Sequence, residues 1–410
     1  MTRRESITSD ILVFLLAGGQ GSRLHPLTRD RAKPAVPFAG HYRIIDFTLT
    51  NCVHSGLKRV FVFTQYRSLS LERHVRRGYS FLPRELDEFI DTVPPQFRSS
   101  SRWYQGTADA VYQNIYLLER DRPKRTLVLS GDHVYRLDYR DMLRSHMESG
   151  ASMTMGVIEV PIEEASRMGV LEVDEDYRVV GFEEKPERPK PMPSRKDLAL
   201  ASMGIYLFNT DTLVREVSWD MKRAESDHDF GKDVLPHMVA EGSKVFAFPF
   251  RDLSGGGPGY WRDVGTIDAY FEAHSDVLGE NPSINLWAKD WPIFTFLPRL
   301  PATEIRSAGG MEPHVVDSVL SGGSVISGAT IRGSFIGPEV RVAPGAVIED
   351  SILMGRDVVG PDAHLRRVIV DRDVSIPEGR KIGLDPERDA RTFVMSPGGI
   401  TVVAQRIPLD

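Results

Sequence analysis

The chain has 410 residues, 41% of them hydrophobic, enough to bury a sizeable core in two or three domains. Its formal net charge is -6, from 51 basic and 57 acidic residues, so no global positive field recommends nucleic acid or an anionic membrane as a partner. The single cysteine, Cys52, rules out an internal disulfide and the opening MTRRESITSD lacks an apolar signal core, which points to a reducing cytoplasm.

The first apolar run, ILVFLLA at 11–17, falls far short of the roughly 20 residues that span a bilayer, so no transmembrane segment is expected. With RVFVFT (59–64) and RTLVLS (125–130) it reads as a strand buried on both faces of a parallel sheet. Between them, TADAVYQNIYLLER sets Val111, Ile115 and Leu118 on one helical face, and DYRDMLRSHMES does the same with Met142, Leu143 and Met147. Alternating strands and helices predict a Rossmann-like α/β domain. VLEVD, RVVGFEEKP, GIYLFN and KVFAFPF extend the same sheet, a helix follows near GTIDAYFEAHSDVL, and the Pro-rich stretch at 185–197 is a surface loop. The spacing predicts a first domain over 1–280 and a linker over 281–315, carrying Pro282, Pro292, Pro298 and Pro301, before a second domain over 316–410.

In that last part aliphatics recur as triplets six residues apart: Val319, Val325, Ile331; Ile336, Val342, Ile348; Leu353, Val359, Leu365; Val370, Ile376, Ile382. Each triplet begins 17 residues after the one before. A period near six, three steps per turn, predicts a parallel β-helix of triangular cross-section with one aliphatic per side in a stacked core.

After the first strand comes LLAGGQGSRLHPLTRDRAKP (15–34). It is neither a Walker loop nor a dinucleotide fingerprint, because Leu24 stands where each needs a glycine. What remains is a tight turn at Gly18, Gly19 and Gly21, whose amides can approach phosphate oxygens, with two cations, Arg23 and Lys33, nearby. A turn with solvated charges accounts for GGxG alone; the two cations favour an anion. Asp132, at the C-terminal end of RTLVLSG, lies where α/β sheets bind ligands, and Asp263 in YWRDVGT is a second candidate for holding Mg²⁺ beside phosphate.

These stretches together resemble the sugar nucleotidyltransferases, whose signature GGxGxRL, xPLT and KP matches Gly18 to Leu24, Pro26 to Thr28 and Lys33–Pro34. RAKPAVPFAGHYRIIDFTLTNCVHSG, WYQGTADAVYQN, GDHVY, PIEEASRMGV, EEKP, ASMGIY, HDFGKDVLP and YWRDVGT are similar, more narrowly, to the glucose-1-phosphate adenylyltransferases. The resemblance runs from about residue 11 to 405 with its blocks in order. It implies a Rossmann-like nucleotidyltransferase domain followed by a left-handed β-helix, and a reaction in which glucose 1-phosphate attacks the α-phosphorus of ATP, giving ADP-glucose and pyrophosphate for glycogen synthesis.

The resemblance further implies Arg23, Lys33, Asp132 and Lys185 as catalytic, with Asp132 and Asp263 as Mg²⁺ ligands. It assigns Glu184, Lys185, Gly169, Ser202 and Tyr104 to the sugar phosphate, and Gln65, Gly106 and Thr107 to the nucleotide. It implies a homotetramer whose anionic metabolite effectors meet Arg31, Arg43 and Arg120. The effector pattern is incomplete here: Asp30 replaces a cation, Thr392 and Met395 stand where arginines are common, and Pro37 replaces a histidine. Rival readings are a pyrophosphorylase of other base or sugar specificity, a non-catalytic regulatory subunit, which the intact cations and carboxylates argue against, and an acyltransferase, for which His314 and His364 come without an acyl-CoA motif.

Overall fold

The computed structural model describes residues 7–96, 103–252, 259–407 and 409. Among them, nine strands form one mixed sheet. In chain order these are β1 (Ile11–Leu16), β2 (Arg59–Phe63), β3 (Phe89–Val93), β4 (Arg125–Ser130), β5 (Met153–Pro161), β6 (Gly169–Val173), β7 (Val179–Glu184), β8 (Leu198–Asn209) and β9 (Val245–Pro249). β1 lies parallel between β2 and β4, and β3 lies parallel outside β2. β8 runs antiparallel to β4 on one side and to β5 on the other, and β9 is parallel to β5. The hairpin β6–β7 joins β8 through Leu200 and Ala201.

The pleat of β1 explains its uninterrupted apolar run. Ile11, Val13 and Leu15 enter one core, Leu12 and Phe14 the other, so both faces are sealed. Each such side chain stabilises the fold by about 1.5–3 kcal/mol. The edge strand β3 gave no such signal, because half-exposed Asp91 and Thr92 interrupt its apolar residues.

Two helical expectations need correction. TADAVYQNIYLLER is two helices, Thr107–Tyr112 and Ile115–Asp121. Asn114 breaks it: its side-chain amide donates to the Ala110 carbonyl at 2.8 Å, taking the acceptor that its own backbone N–H would use in a continuous helix. In Tyr139–Glu148 the buried stripe is Tyr139, Met142, Leu143 and His146, whereas Met147 is 39% exposed. His146 is kept inside by Thr154 and Asn209, which bond its two ring nitrogens.

Beyond Glu304 the chain winds into a three-sided parallel β-helix of the left-handed hexapeptide type, its strands stacked in three sheets. Ile331, Ile348, Leu365 and Ile382 form one column, as the 17-residue repeat requires. The first coil departs from that repeat. Leu320, not Val319, stacks under Ile336, and Ile326, not Val325, under Val342. The corner after Ile326 reads SGA where the next coil has APGA, so this coil is one residue short and the triplet shifts by one.

The segment expected as a linker is a packed strap. Ile284, Leu286, Trp291 and Ile293 are buried in a core shared with Ile44 and Phe47 of the first domain and Phe335, Ile352 and Ile369 of the β-helix. Its prolines prevent regular pairing but not burial, and the first β-helix strand, Glu304–Arg306, already lies inside 281–315. No helix among the described residues is long and apolar enough to cross a membrane.

The corrected register makes a direct prediction. Ile326→Ala should cost about 2–5 kcal/mol, as a buried aliphatic does, and Val325→Ala, on the outer face, less than about 1 kcal/mol, both read by chemical denaturation. Equal losses, or the reverse order, would contradict the one-residue shift.

Candidate active site

A cleft of about 520 Å³ opens at the C-terminal ends of β1 and β4, between the glycine turn, Gln65, Tyr104 to Thr107, Ser130, Asp132, Asp229 and Gly265. The glycines of the turn differ in what they serve. Gly21 takes φ 62, and its carbonyl accepts from Thr28 Oγ1 at 2.9 Å. A Cβ on Gly18 would lie 3.0 Å from Gln65 Cβ, whereas Gly19 has nothing within 4 Å and leaves its backbone open to a ligand.

Two carboxylates far apart in sequence meet through a short ribbon. His133–Tyr135 pairs antiparallel with Trp261–Asp263, placing Asp263 opposite His133 and beside Asp132. Lys33 Nζ bridges them, 2.8 Å from Asp132 Oδ2 and 2.9 Å from Asp263 Oδ1. Arg23 Nη2 stands 3.9 Å from the other oxygen of Asp263. Ser130 Oγ donates to Asp132 Oδ1, and His133 Nε2 lies 3.4 Å from it.

The electrostatics follow from that geometry. Burial acts to lower the Lys33 pKa, but Asp132 and Asp263 outweigh it, and the pKa is raised. Burial likewise disfavours the ionised Asp132, yet Lys33 and His133 hold its carboxyl well below the usual range. Ligand atoms of Asp132, His133 and Asp263 lie within 4.8 Å of one another, so the group offers a cation two hard carboxylates and an imidazole.

The residues assigned to the sugar phosphate stand beside this cleft on β6 to β8, with only Tyr104 in its wall. Gly169 faces Glu184 across the hairpin, where a Cβ would lie 2.8 Å from Glu184 Oε2. Lys185, at φ 51, bonds Glu184 Oε1 at 2.7 Å. Ser202 sits at the bulge of β8, 3.3 Å from the Tyr206 hydroxyl. Tyr104 accepts from Asn114 at 3.0 Å, and burial pushes its pKa up to about 12. Its backbone N–H donates to Gln65 Oε1 at 3.0 Å, tying the 104–107 segment to Gln65. Trp103, beside Tyr104, stacks on Tyr66.

Of the three arginines expected to meet effectors, two lie near each other. Arg31 is buried and bonds Asp371 of the β-helix at 2.7 Å, and Arg43 bonds Ser70. Burial, then Arg372, lowers the Arg43 pKa to about 10, with Arg31 adding to the effect. Arg120 shares none of these partners: it bonds Asp121 and lies over the Phe61 ring. Reasoning from sequence missed Asp229 and Arg372. HDFGKDVLP and VIVDRDV mark the spots, but only the fold shows that the first reaches the cleft and the second reaches Arg43.

The nucleotidyl transferase family profile matches residues 12–280, which include every residue of the cleft, and the GlmU-like C-terminal hexapeptide profile matches 300–403. Relatives named glucose-1-phosphate adenylyltransferase align along nearly the whole chain. The one from Rhodopirellula baltica is 48% identical, over 96% of this chain and 90% of its own length. Those named glucose-1-phosphate adenylyltransferase 2 in Alkalilimnicola ehrlichii and Vibrio cholerae are 47% and 48% identical, over 97% of this chain and 94% and 98% of theirs. The chain belongs to the glucose-1-phosphate adenylyltransferase family. As in any nucleotidyltransferase of this kind, a divalent ion is in keeping with the acidic group at Asp132 and Asp263.

A titration tests the clamp. Because Asp132 is depressed, its ionised form contributes stability above the unfolded carboxylate's pKa, and this is lost as pH falls through the folded value. Lys33→Met should therefore raise the Asp132 pKa, read by ¹³C NMR. An unmoved Asp132 would contradict the clamp.

Proposed function

We propose that this protein transfers the adenylyl group of ATP to α-D-glucose 1-phosphate, releasing pyrophosphate and making ADP-glucose, the glucosyl donor for glycogen. The observation that carries the reading is Lys33 bridging Asp132 and Asp263 at the mouth of the glycine turn. The phosphate oxygen of glucose 1-phosphate is already an anion at neutral pH, so no side chain need be activated as a nucleophile. The task is positioning and neutralising charge as pyrophosphate departs.

Arg23, Lys33 and the amides at Gly18, Gly19 and Gly21 would hold the leaving pyrophosphate. Gln65, Gly106 and Thr107 face the nucleotide. Lys185 takes the sugar phosphate and Glu184 its hydroxyls, with Gly169, Ser202 and Tyr104 shaping that side. Asp132 and Asp263 supply oxygen ligands suited to Mg²⁺, which when bound neutralises phosphate charge and orients the groups. His133 is engaged with Asp132 and stands outside that hard donor pair.

Regulation by anionic metabolites belongs to the same reading. Arg31, Arg43 and Arg372 converge where the first domain meets the β-helix, and Arg372 Nε is buried with no partner among the described residues. The reading carries with it a cytoplasmic homotetramer, as the family resemblance implies.

The test is pyrophosphate release with Mg²⁺ and glucose 1-phosphate, offering ATP, dTTP, UTP and GTP separately. ATP should be the nucleotide turned over, and Asp132→Asn should lose about 10²–10³ in kcat, the size expected for removing a preorganised charge. Turnover of another nucleotide in place of ATP would overturn the substrate assignment, and turnover of none would favour a non-catalytic subunit. A parallel titration with several sugar phosphates and pyruvate should change rate or substrate affinity, and Arg43→Ala should weaken the response. No change with any of them would remove regulation from the account.

A further inference from the structure

The nucleotide-facing turn at Gly106–Thr107 opens a helix of six residues, too short to stand by its own propensity. Among the described residues, the hydrogen bonds that hold its first turn from outside come from a single segment. The His228 carbonyl accepts from Ala108 N at 2.8 Å and from Asp109 N at 3.3 Å. Thr107 Oγ1 donates to Asp229 Oδ2 at 2.9 Å and accepts from Phe230 N at 2.9 Å. Gly106 packs so closely that a Cβ would meet His228 O at 2.2 Å and Asp227 O at 2.4 Å. The start of the turn is therefore shaped closely against residues 227–230.

That segment depends in turn on one unusual backbone. His228 has φ 54, a left-handed conformation that a residue with a Cβ adopts only when its surroundings enforce it. The enforcement is visible. His228 Nδ1 lies 2.9 Å from Oδ2 of Asp220, which ends the helix Thr210–Asp220 and is buried. Ser226 Oγ donates to Asp220 Oδ1 at 2.6 Å and accepts from His228 N at 2.9 Å. The three residue types are those of a hydrolytic triad, but the serine bonds the aspartate and a backbone amide rather than the imidazole, so nothing activates it as a nucleophile.

We infer that Asp220, Ser226 and His228 form a clasp that locks the left-handed backbone at His228 and thereby sets the nucleotide-binding turn, making Asp220 and His228 positioning residues for ATP. This rests on the reading of Gly106 and Thr107 as the nucleotide side. The segment also nears the sugar side, since a Cβ on Gly231 would lie 3.0 Å from Glu184 Oε2. The bonds to the helix start, however, make the nucleotide the ligand that should feel the clasp first.

The experiment is equilibrium binding of ATP and, separately, of glucose 1-phosphate to the full chain by calorimetry. Asp220→Ala should weaken ATP about tenfold, the order expected when a left-handed residue is released, and glucose 1-phosphate by less than about twofold. Asp220→Ala with His228→Gly should recover ATP affinity to within about threefold of wild type, because glycine takes this φ without a clasp. A merely structural loss would not be rescued by deleting a further side chain. Should Asp220→Ala fail to fold, His228→Ala and His228→Gly ask the same question, with glycine expected to bind ATP at least about fivefold more tightly than alanine. Unchanged ATP affinity in Asp220→Ala, equal loss for both ligands, or no recovery with glycine would overturn the inference. If the wild type itself fails to bind ATP, the assignment of the turn to nucleotide falls first and takes the clasp with it.

Discussion

One ammonium group held between two carboxylates organises this molecule. Lys33 is buried, which alone would make its charge costly, and Asp132 and Asp263 are what make it tenable. Neither carboxylate is near the other in sequence: the ribbon of His133–Tyr135 and Trp261–Asp263 exists to bring them together at the end of β4. Two residues before Lys33, Arg31 turns the other way and pairs with Asp371 on the β-helix. Removing one partner of such a buried pair costs about 3–5 kcal/mol, so the short stretch from 31 to 33 is pinned at both ends. The segment at the cleft is thus also one of those that tie the first domain to the β-helix.

The rest of the architecture keeps that stretch in place. The strap over 284–293 fills a core that spans both domains, Asp268 accepts from Ser396 Oγ, and Arg29 donates to the Gln405 carbonyl at 2.7 Å. A site that works by orienting phosphates, with no side-chain nucleophile to activate, gains its rate from rigidity of this kind. Of the arginines at the domain boundary, Arg31 lies on the same strut as Lys33, two residues away and paired with the β-helix.

Much of this was legible in the sequence, for identifiable reasons. β1, β2 and β4 announce themselves because both faces are buried, and the glycine turn with Arg23, Lys33 and Asp132 stands out through the family resemblance; the structure brings Lys33 and Asp132 together. Where reading failed, the cause was tertiary. Val319 and Val325 fit the repeat until a shortened corner shifts the first coil, and Met147 fits a helical face that His146 in fact occupies through its two hydrogen bonds. Trp291 and Ile293 lie among prolines that read as a tether. Asp229 and Arg372 lie in stretches that stand out locally, but what gives each its place is a residue more than a hundred positions away, Thr107 and Arg43.

The central claim is that Lys33, Asp132 and Asp263 act as one unit. It is tested most directly by a double-mutant cycle on kcat/KM for ATP, with Asp132→Asn, Asp263→Asn and both together. The account predicts strong non-additivity, the double mutant losing little more than the worse single mutant. Losses that simply multiply would show two independent carboxylates and contradict it.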